Sequence, residues 1–172
     1  MKKLRFLLLA LVMFTSAANA QVVTVNDMAS VRPGSKLNCV LDFSQATIMG
    51  MTEEQFAQYE PDWEKDKWKI VKKFLNGVNG KLDEVLVAGG YKDTPYTLAV
   101  TVTTITDVGN VFCNAELKDS QGAVLFRVKE VSGGKDPVFL PGTKLAKIKL
   151  WSNLTGKCLG SILKQEYLSG GN

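Results

Sequence analysis

The sequence predicts an α+β fold: a two-layer sandwich of order β-α-β-β-β-α, in which two helices cover one face of a mostly antiparallel four-stranded sheet. Four segments alternate apolar and polar residues with the period of two that is typical of half-buried strands. Two longer segments carry apolar residues at spacings of three and four, as amphipathic helices do. A strand, a crossover helix and a three-strand meander form one sheet most simply when both helices lie on the same face.

The first twenty residues have the pattern of a secretory signal peptide. A basic start precedes an almost unbroken apolar run over residues 4–14, and small residues at Ala18 and Ala20 favour cleavage before Gln21. The apolar run is roughly half of the 20 residues that a membrane-spanning helix needs. We expect residues 1–20 to be removed and the mature chain to be exported, to the periplasm or the medium, without stable membrane insertion.

A single domain is predicted over residues 35–168, between a flexible N-terminal arm at residues 21–34 and a disordered tail at residues 169–172. The first strand is predicted over residues 36–48. Its apolar side carries Leu37, Cys39, Leu41 and Phe43.

Two helices are predicted to face the core. Thr52 and Gln55 fit a capping box that begins a short helical turn, which Pro61 ends. The long helices are expected over residues 62–87 and from Thr143 to about Tyr167, where apolar residues recur at helical spacing. The stripe of the first helix is Trp68, Val71, Leu75, Val78 and Leu82, and that of the second is Leu145, Ile148, Trp151, Thr155, Cys158, Leu159, Ile162 and Leu163. Gly156 and Gly160 indicate close approach of the second helix to the sheet.

The meander is predicted from three alternating segments joined by turns that contain Gly, Asp and Asn. The segments are Tyr96–Thr103, Val111–Lys118 and Val124–Val131.

Composition excludes several classes of function. The chain has no histidine, so it lacks the commonest metal ligand and cannot form a Ser-His-Asp or Cys-His nucleophile. Without residues 1–20, 18 basic residues face 17 acidic ones, which is too small an excess to predict nucleic-acid binding. Cys39, Cys113 and Cys158 form no CxxC motif. We expect no cofactor, no metal, no nucleic-acid partner and three buried, unreactive thiols.

The strand sequence Val40-Leu41-Asp42-Phe43, the loop at Gly133-Gly134 and the final helix around Gly156-Lys157-Cys158-Leu159-Gly160 carry a resemblance. In layout, the chain resembles short secreted proteins of Gram-negative bacteria and small envelope modules such as the N-terminal domain of TolB and the periplasmic activator LpoB. This resemblance implies an envelope or secreted location and a role in assembly. It carries no catalytic motif and implies no site residues.

The sheet face that the helices leave uncovered is the candidate site. An antiparallel sheet can leave this face to water, but scattered apolar side chains on it also suit contact with an envelope protein or a glycan. The residues chosen for this face are Val40, Thr101, Phe112, Leu125 and Arg127. The leading hypothesis is therefore a non-enzymatic binding or assembly module.

Two alternatives remain open at this point. A hydrolase acting on glycans could use two carboxylates among Asp42, Glu116 and Asp119, if they lie roughly 5–10 Å apart in a cleft. A carrier of small ligands could instead hold them between the sheet and the helices. Its pocket would form around Tyr96, Trp68 and Trp151.

Overall fold

A computed structural model describes residues 21–135 and 141–170, and the predicted signal peptide lies outside them. Within these residues the chain forms seven strands and three helices. Their bounds are β1 Val22–Asn26, β2 Ser35–Asp42, β3 Thr47–Ile48, α1 Glu53–Tyr59, α2 Trp63–Leu82, β4 Leu86–Gly89, β5 Thr97–Ile105, β6 Val111–Lys118, β7 Val124–Ser132 and α3 Lys144–Gly170.

The strands form one mixed sheet in the order β1-β7-β6-β5-β2-β4, and β3 pairs with the far end of β5. The half containing β4, β2, β3 and β5 is parallel, whereas β5, β6, β7 and β1 pair antiparallel. The prediction of a mostly antiparallel four-stranded sheet with two helices is therefore wrong. Alternation detects strands of several residues, and β3 and β4 have only two and four residues.

The segment expected to be a flexible N-terminal arm contains β1. This strand extends the sheet by pairing with β7, where Val25 lies opposite Arg127. After β1, Met28 and Val31 are buried in the core. At the other end of the chain, the expected tail begins inside α3, which continues to Gly170, and residues 171–172 lie outside the described part.

The helix boundaries follow local signals. The capping box is confirmed: the Thr52 hydroxyl accepts the Gln55 N–H, and the Gln55 side chain accepts the Thr52 N–H. The predicted long helix ends at Leu82, five residues earlier than expected. Asp83 and Glu84 have φ values of 52° and 62°, which break the helix before the chain enters β4.

Helices α2 and α3 cover one face of the sheet and run in the same direction. Two ion pairs show this direction: Asp66 pairs with Lys149 near the starts of the helices, and Asp83 pairs with Lys164 near their ends. The backbones cross in direct contact. A Cβ at Gly156 would lie 2.2 Å from the Phe74 carbonyl oxygen. The same applies to Gly77 against Asn153, and to Gly160 against Val78. Gly156 and Gly160 were expected to allow close approach of this helix to the sheet. The structure corrects this, because they allow close approach to α2.

The rest of the helical layer closes the core by side-chain packing. At one end, Trp63 is fully buried and meets Phe43 and Phe56 edge to face at 5.6 Å and 5.2 Å between ring centroids. This cluster anchors α1 and the start of α2 on β3. Trp63, Phe43 and Phe56 thus belong to one of the two core clusters of the described residues, together with residues of α3 such as Ile148 and Trp151.

Candidate functional site

The sheet face opposite the helices forms a shallow concavity of about 400 Å³ across β5, β6 and β7. Strand register places its side chains in rows: Ala99 lies opposite Glu116, which lies opposite Arg127, and Thr101 lies opposite Asn114. Successive side chains of a strand point to opposite faces, so these residues all project outward. The lining residues are Ala99, Thr101, Asn114, Glu116, Lys118, Arg127 and Lys129. We call the whole side of the sheet opposite the helices, which includes this concavity, the outer sheet face.

An ion-pair network lies at the centre of the outer sheet face. The Glu116 carboxylate accepts hydrogen bonds from Arg127 Nε at 2.7 Å and from Lys118 Nζ at 2.8 Å. The hydrogen bond from Lys118 is the main cause that holds the pKa of Glu116 below its usual range; burial opposes it, and the hydrogen bond from Arg127 lowers the pKa further. Lys129 is exposed and forms no ion pair with any described residue. The concavity therefore carries more positive than negative charge.

A β-bulge gives one side of this face its shape. Glu130 has a φ of 58°, and its N–H donates to Asn114 Oδ1 at 3.0 Å. The register between β6 and β7 shifts at this point, so that Val131 turns into the core. A second depression of about 350 Å³ follows, lined by Thr103, Thr104, Phe112 and Glu130. Bulges commonly re-aim side chains in this way.

Four of the five predicted site residues lie on the outer sheet face. Val40 is 47 % exposed and sits in the row of Ala99 and Glu116, while Thr101, Phe112 and Arg127 are half-buried. The fifth residue, Leu125, does not lie on this face.

Leu125 is 7 % exposed and belongs to the hydrophobic core, so its assignment to the outer sheet face is corrected. The cause is a second register shift between β6 and β7. Leu117 lies opposite Phe126 and Lys118 opposite Val124, which makes Leu125 an extra residue in β7. Both Leu125 and Phe126 then turn inward. Strict alternation cannot predict such a residue.

The sequence reasoning also omitted residues from the chosen set. Lys118 and Lys129 complete the charged part of the concavity. The alternation of β6 and β7 could have predicted both lysines, since Lys118 is two residues from Glu116 and Lys129 is two residues from Arg127, so each pair shares one face.

The three carboxylates of the hydrolase alternative have separate roles. Asp42 accepts the Ser44 N–H at 2.9 Å, and this backbone hydrogen bond lowers its pKa. Asp119 accepts the N–H groups of Gln121 and Ala123 in the β6–β7 hairpin. A general acid of a glycosidase needs a raised pKa, whereas the pKa values of Asp42 and Glu116 are both lowered.

The aromatic residues of the carrier alternative do not meet. Trp151 is buried among the core residues at one end of the helical layer, and Trp68 is 58 % exposed on α2. Tyr96 packs at the edge of the other core cluster, where its hydroxyl donates to the Ser30 carbonyl at 3.3 Å. These three side chains therefore line no common pocket.

The three cysteines are free thiols. Cys39 and Cys113 are buried on either side of β5, and burial raises the pKa of Cys39 to about 12 and that of Cys113 further. Cys158 is only half-buried, which corrects the expectation that all three thiols are buried, and Gln21 Nε2 donates to its Sγ at 3.0 Å. Burial also raises the pKa of Cys158.

Across residues 21–135 and 141–170, no three Cys, Asp or Glu side chains are grouped so that they could hold a metal ion. Of the helices in these residues, none is long and apolar enough to cross a membrane.

No protein family and no curated protein matches the sequence. Two solved structures of PelC dodecamers from Paraburkholderia phytofirmans are similar to it. The first, a single-residue variant, is 12 % identical over 85 % of this chain and 95 % of that chain, with a TM-score of 0.46. The second is 15 % identical over 85 % and 96 %, with a TM-score of 0.45. At these values, neither protein assigns a function to this chain.

Proposed function

We propose that the protein is an exported, non-enzymatic binding or assembly module of the bacterial envelope, and that its outer sheet face binds a partner there. The observation that carries this proposal is the uncovered concavity of about 400 Å³ around the Lys118–Glu116–Arg127 network. The signal-peptide pattern of residues 1–20 supports the location.

The chemistry of the face favours a protein partner over a glycan. Arg127 and Lys118 share one carboxylate, so an acidic group of a partner could compete for them or accept from Lys129. Val40 adds apolar area in the row of Glu116, two strands away, and the half-buried Phe112 adds apolar area further along β6. Protein interfaces combine apolar contacts with hydrogen bonds and charged groups. A face lined by stacked aromatic rings would instead favour a sugar.

The experiment is photo-crosslinking from position 101, in the middle of the concavity, in cells that export the protein. Two variants test the face. Phe112→Asp places a charge on its apolar side, and Lys129→Glu reverses an exposed charge without breaking an ion pair. Leu168→Asp, at a 55 % exposed position on α3, is the matched control for Phe112→Asp.

The proposal requires one crosslinked partner that is retained by Leu168→Asp and lost or strongly reduced in Lys129→Glu. Phe112→Asp should reduce it too, provided that circular dichroism shows an unchanged fold. A partner retained by Lys129→Glu and by folded Phe112→Asp would place the binding site elsewhere. A crosslink to a polysaccharide rather than to a protein would show that the partner class is wrong.

A further inference from the structure

The charges of the mature chain are segregated by secondary structure. Helices α2 and α3 together contain eleven lysines, three acidic residues and no arginine. The remainder of residues 21–172 contains seven basic and fourteen acidic residues. A chain that is almost neutral as a whole therefore has one strongly basic layer. The two helices are parallel neighbours in one layer, and the solvent side of this layer carries their exposed lysines. We call this surface, which carries Lys65, Lys72, Lys73, Lys81 and Lys157, the lysine face.

Much of the positive charge on the lysine face is uncompensated. Lys69 and Lys149 share the carboxylate of Asp66, which bridges the two helices. Lys67 pairs with Glu53 of α1, and Lys164 pairs with Asp83. Several of the remaining lysines have no acidic partner among the described residues and are exposed. Lys72, Lys73, Lys81 and Lys157 are exposed lysines of this kind, and the exposed Lys65 has only a 3.8 Å contact with Asp62.

Large apolar side chains are exposed beside these lysines. Trp68 is 58 % exposed on α2, and the Lys69 ammonium lies 5.9 Å from its ring centroid. Leu150 is 48 % exposed and follows Lys149 on α3. Tyr59 is 58 % exposed, and Lys144 Nζ lies 3.9 Å from its ring centroid. Trp68, Leu150 and Tyr59 therefore form an exposed apolar group toward the N-terminal ends of both helices, and Leu168 is exposed near the end of α3.

We propose that the lysine face binds the surface of an anionic lipid bilayer. Lysine-rich helices that expose Trp and Leu are typical of membrane-surface binding, because the ammonium groups meet lipid phosphates and the apolar groups enter the interface. Two packed helices form an extended surface that suits contact with a bilayer. Neither helix contains arginine, the residue that binds single phosphates in a specific bidentate geometry, which argues against that kind of recognition. This binding is peripheral and leaves the outer sheet face free on the opposite side.

The test is co-sedimentation of the chain comprising residues 21–172 with vesicles of phosphatidylcholine alone or mixed with phosphatidylglycerol. Binding is expected only to the mixed vesicles, and it should fall strongly when salt is raised to about 0.5 M. Trp63 and Trp151 are buried, whereas Trp68 is exposed. A blue shift of tryptophan emission on vesicle binding should therefore come from Trp68 and disappear in Trp68→Phe.

Charge variants separate the lysine face from overall charge. Lys65→Glu with Lys72→Glu should weaken binding by about tenfold or more, since each basic residue near an anionic surface contributes substantially. The control is Lys92→Glu with Lys135→Glu, which makes the same change in net charge at exposed loop positions. Its binding should stay within about twofold of the unmodified chain.

Three outcomes would overturn the proposal. The first is no sedimentation with the mixed vesicles at low salt. The second is an equal loss in the loop control, which would reduce the effect to net charge. The third is binding to a soluble acidic polysaccharide with no binding to vesicles. If the Lys65 and Lys72 variant loses its circular dichroism signal, Lys73→Glu with Lys157→Glu supplies the same test from other exposed positions.

Discussion

The crossing of α2 and α3 makes a sharp stability prediction at Gly156. In Gly156→Ala, the new methyl group would lie 2.2 Å from the Phe74 carbonyl oxygen and 3.0 Å from the carbonyl carbon. Both belong to helix backbone, so no flexible side chain can move away. To reach an ordinary contact, the helices must separate by about 1 Å, which forfeits a large part of the dispersion attraction across the crossing.

The magnitude follows from two opposing effects. Overpacking typically costs about 1–3 kcal/mol, and contact between two backbones places this site at the upper end of that range. Alanine recovers about 1 kcal/mol relative to glycine through helix propensity. We therefore expect Gly156→Ala to lower the free energy of unfolding by about 2 kcal/mol. For a domain of this size, the melting temperature should fall by about 4–8 °C.

Gly80 provides the matched control on α2. A Cβ at Gly80 would meet no atom within 4 Å, so Gly80→Ala should raise the free energy of unfolding by about 1 kcal/mol. Urea unfolding monitored by circular dichroism measures both variants. The reasoning fails if Gly156→Ala is as stable as Gly80→Ala, because the helices would then have room for a methyl group where the structure shows backbone contact.

Three further predictions concern ion pairing, thiols and processing. Hydrogen bonds from Lys149 and Lys69 lower the pKa of Asp66. The stability that these hydrogen bonds contribute is therefore present above the usual pKa of an aspartate and is lost as the pH falls toward the lowered pKa of Asp66. Asp66→Asn should therefore lower the free energy of unfolding by about 2 kcal/mol at neutral pH, and the deficit should shrink below about pH 4; acid titration of both proteins measures it. A bulky thiol reagent should label Cys158 before the buried Cys39 and Cys113, and fast labelling of all three thiols would contradict the burial. Intact mass of the exported protein should show cleavage after Ala20, and a species that retains the first twenty residues would refute the signal peptide.

The elements that sequence reasoning predicted correctly are those marked by a local signal, either a capping motif or a long periodic pattern. The capping box at Thr52, the start of α2 and the three strands of the meander all carry local signals that tertiary contacts do not override. The elements it missed depend on partners distant in sequence. β1 forms because β7 offers an edge, and β4 forms because α2 returns the chain beside β2. Four or five residues contain too few alternations to predict either strand.

The candidate site shows the same difference between local sequence signals and contacts between distant segments. Outward alternation placed Val40, Thr101 and Arg127 on the exposed side of the sheet, where the structure has them. It failed at Leu125 because one inserted residue reverses which side chains face the core. A bulge is decided by the pairing of two strands, and the β7 sequence alone contains no glycine or proline to mark it.

The near-neutral total charge of residues 21–172 was the basis for expecting no nucleic-acid binding, which stays a prediction, and the structure adds how those charges are distributed. Net charge predicts polyanion binding only when charges are spread evenly, since ions screen charges beyond about 8 Å at physiological ionic strength. Here the acidic residues lie mostly in turns, strands and helix starts, and the lysines lie on α2 and α3. The glycine crossing holds the two helices at backbone contact, so their exposed lysines lie in one layer. The local charge of that layer is therefore more positive than the sum over the chain indicates.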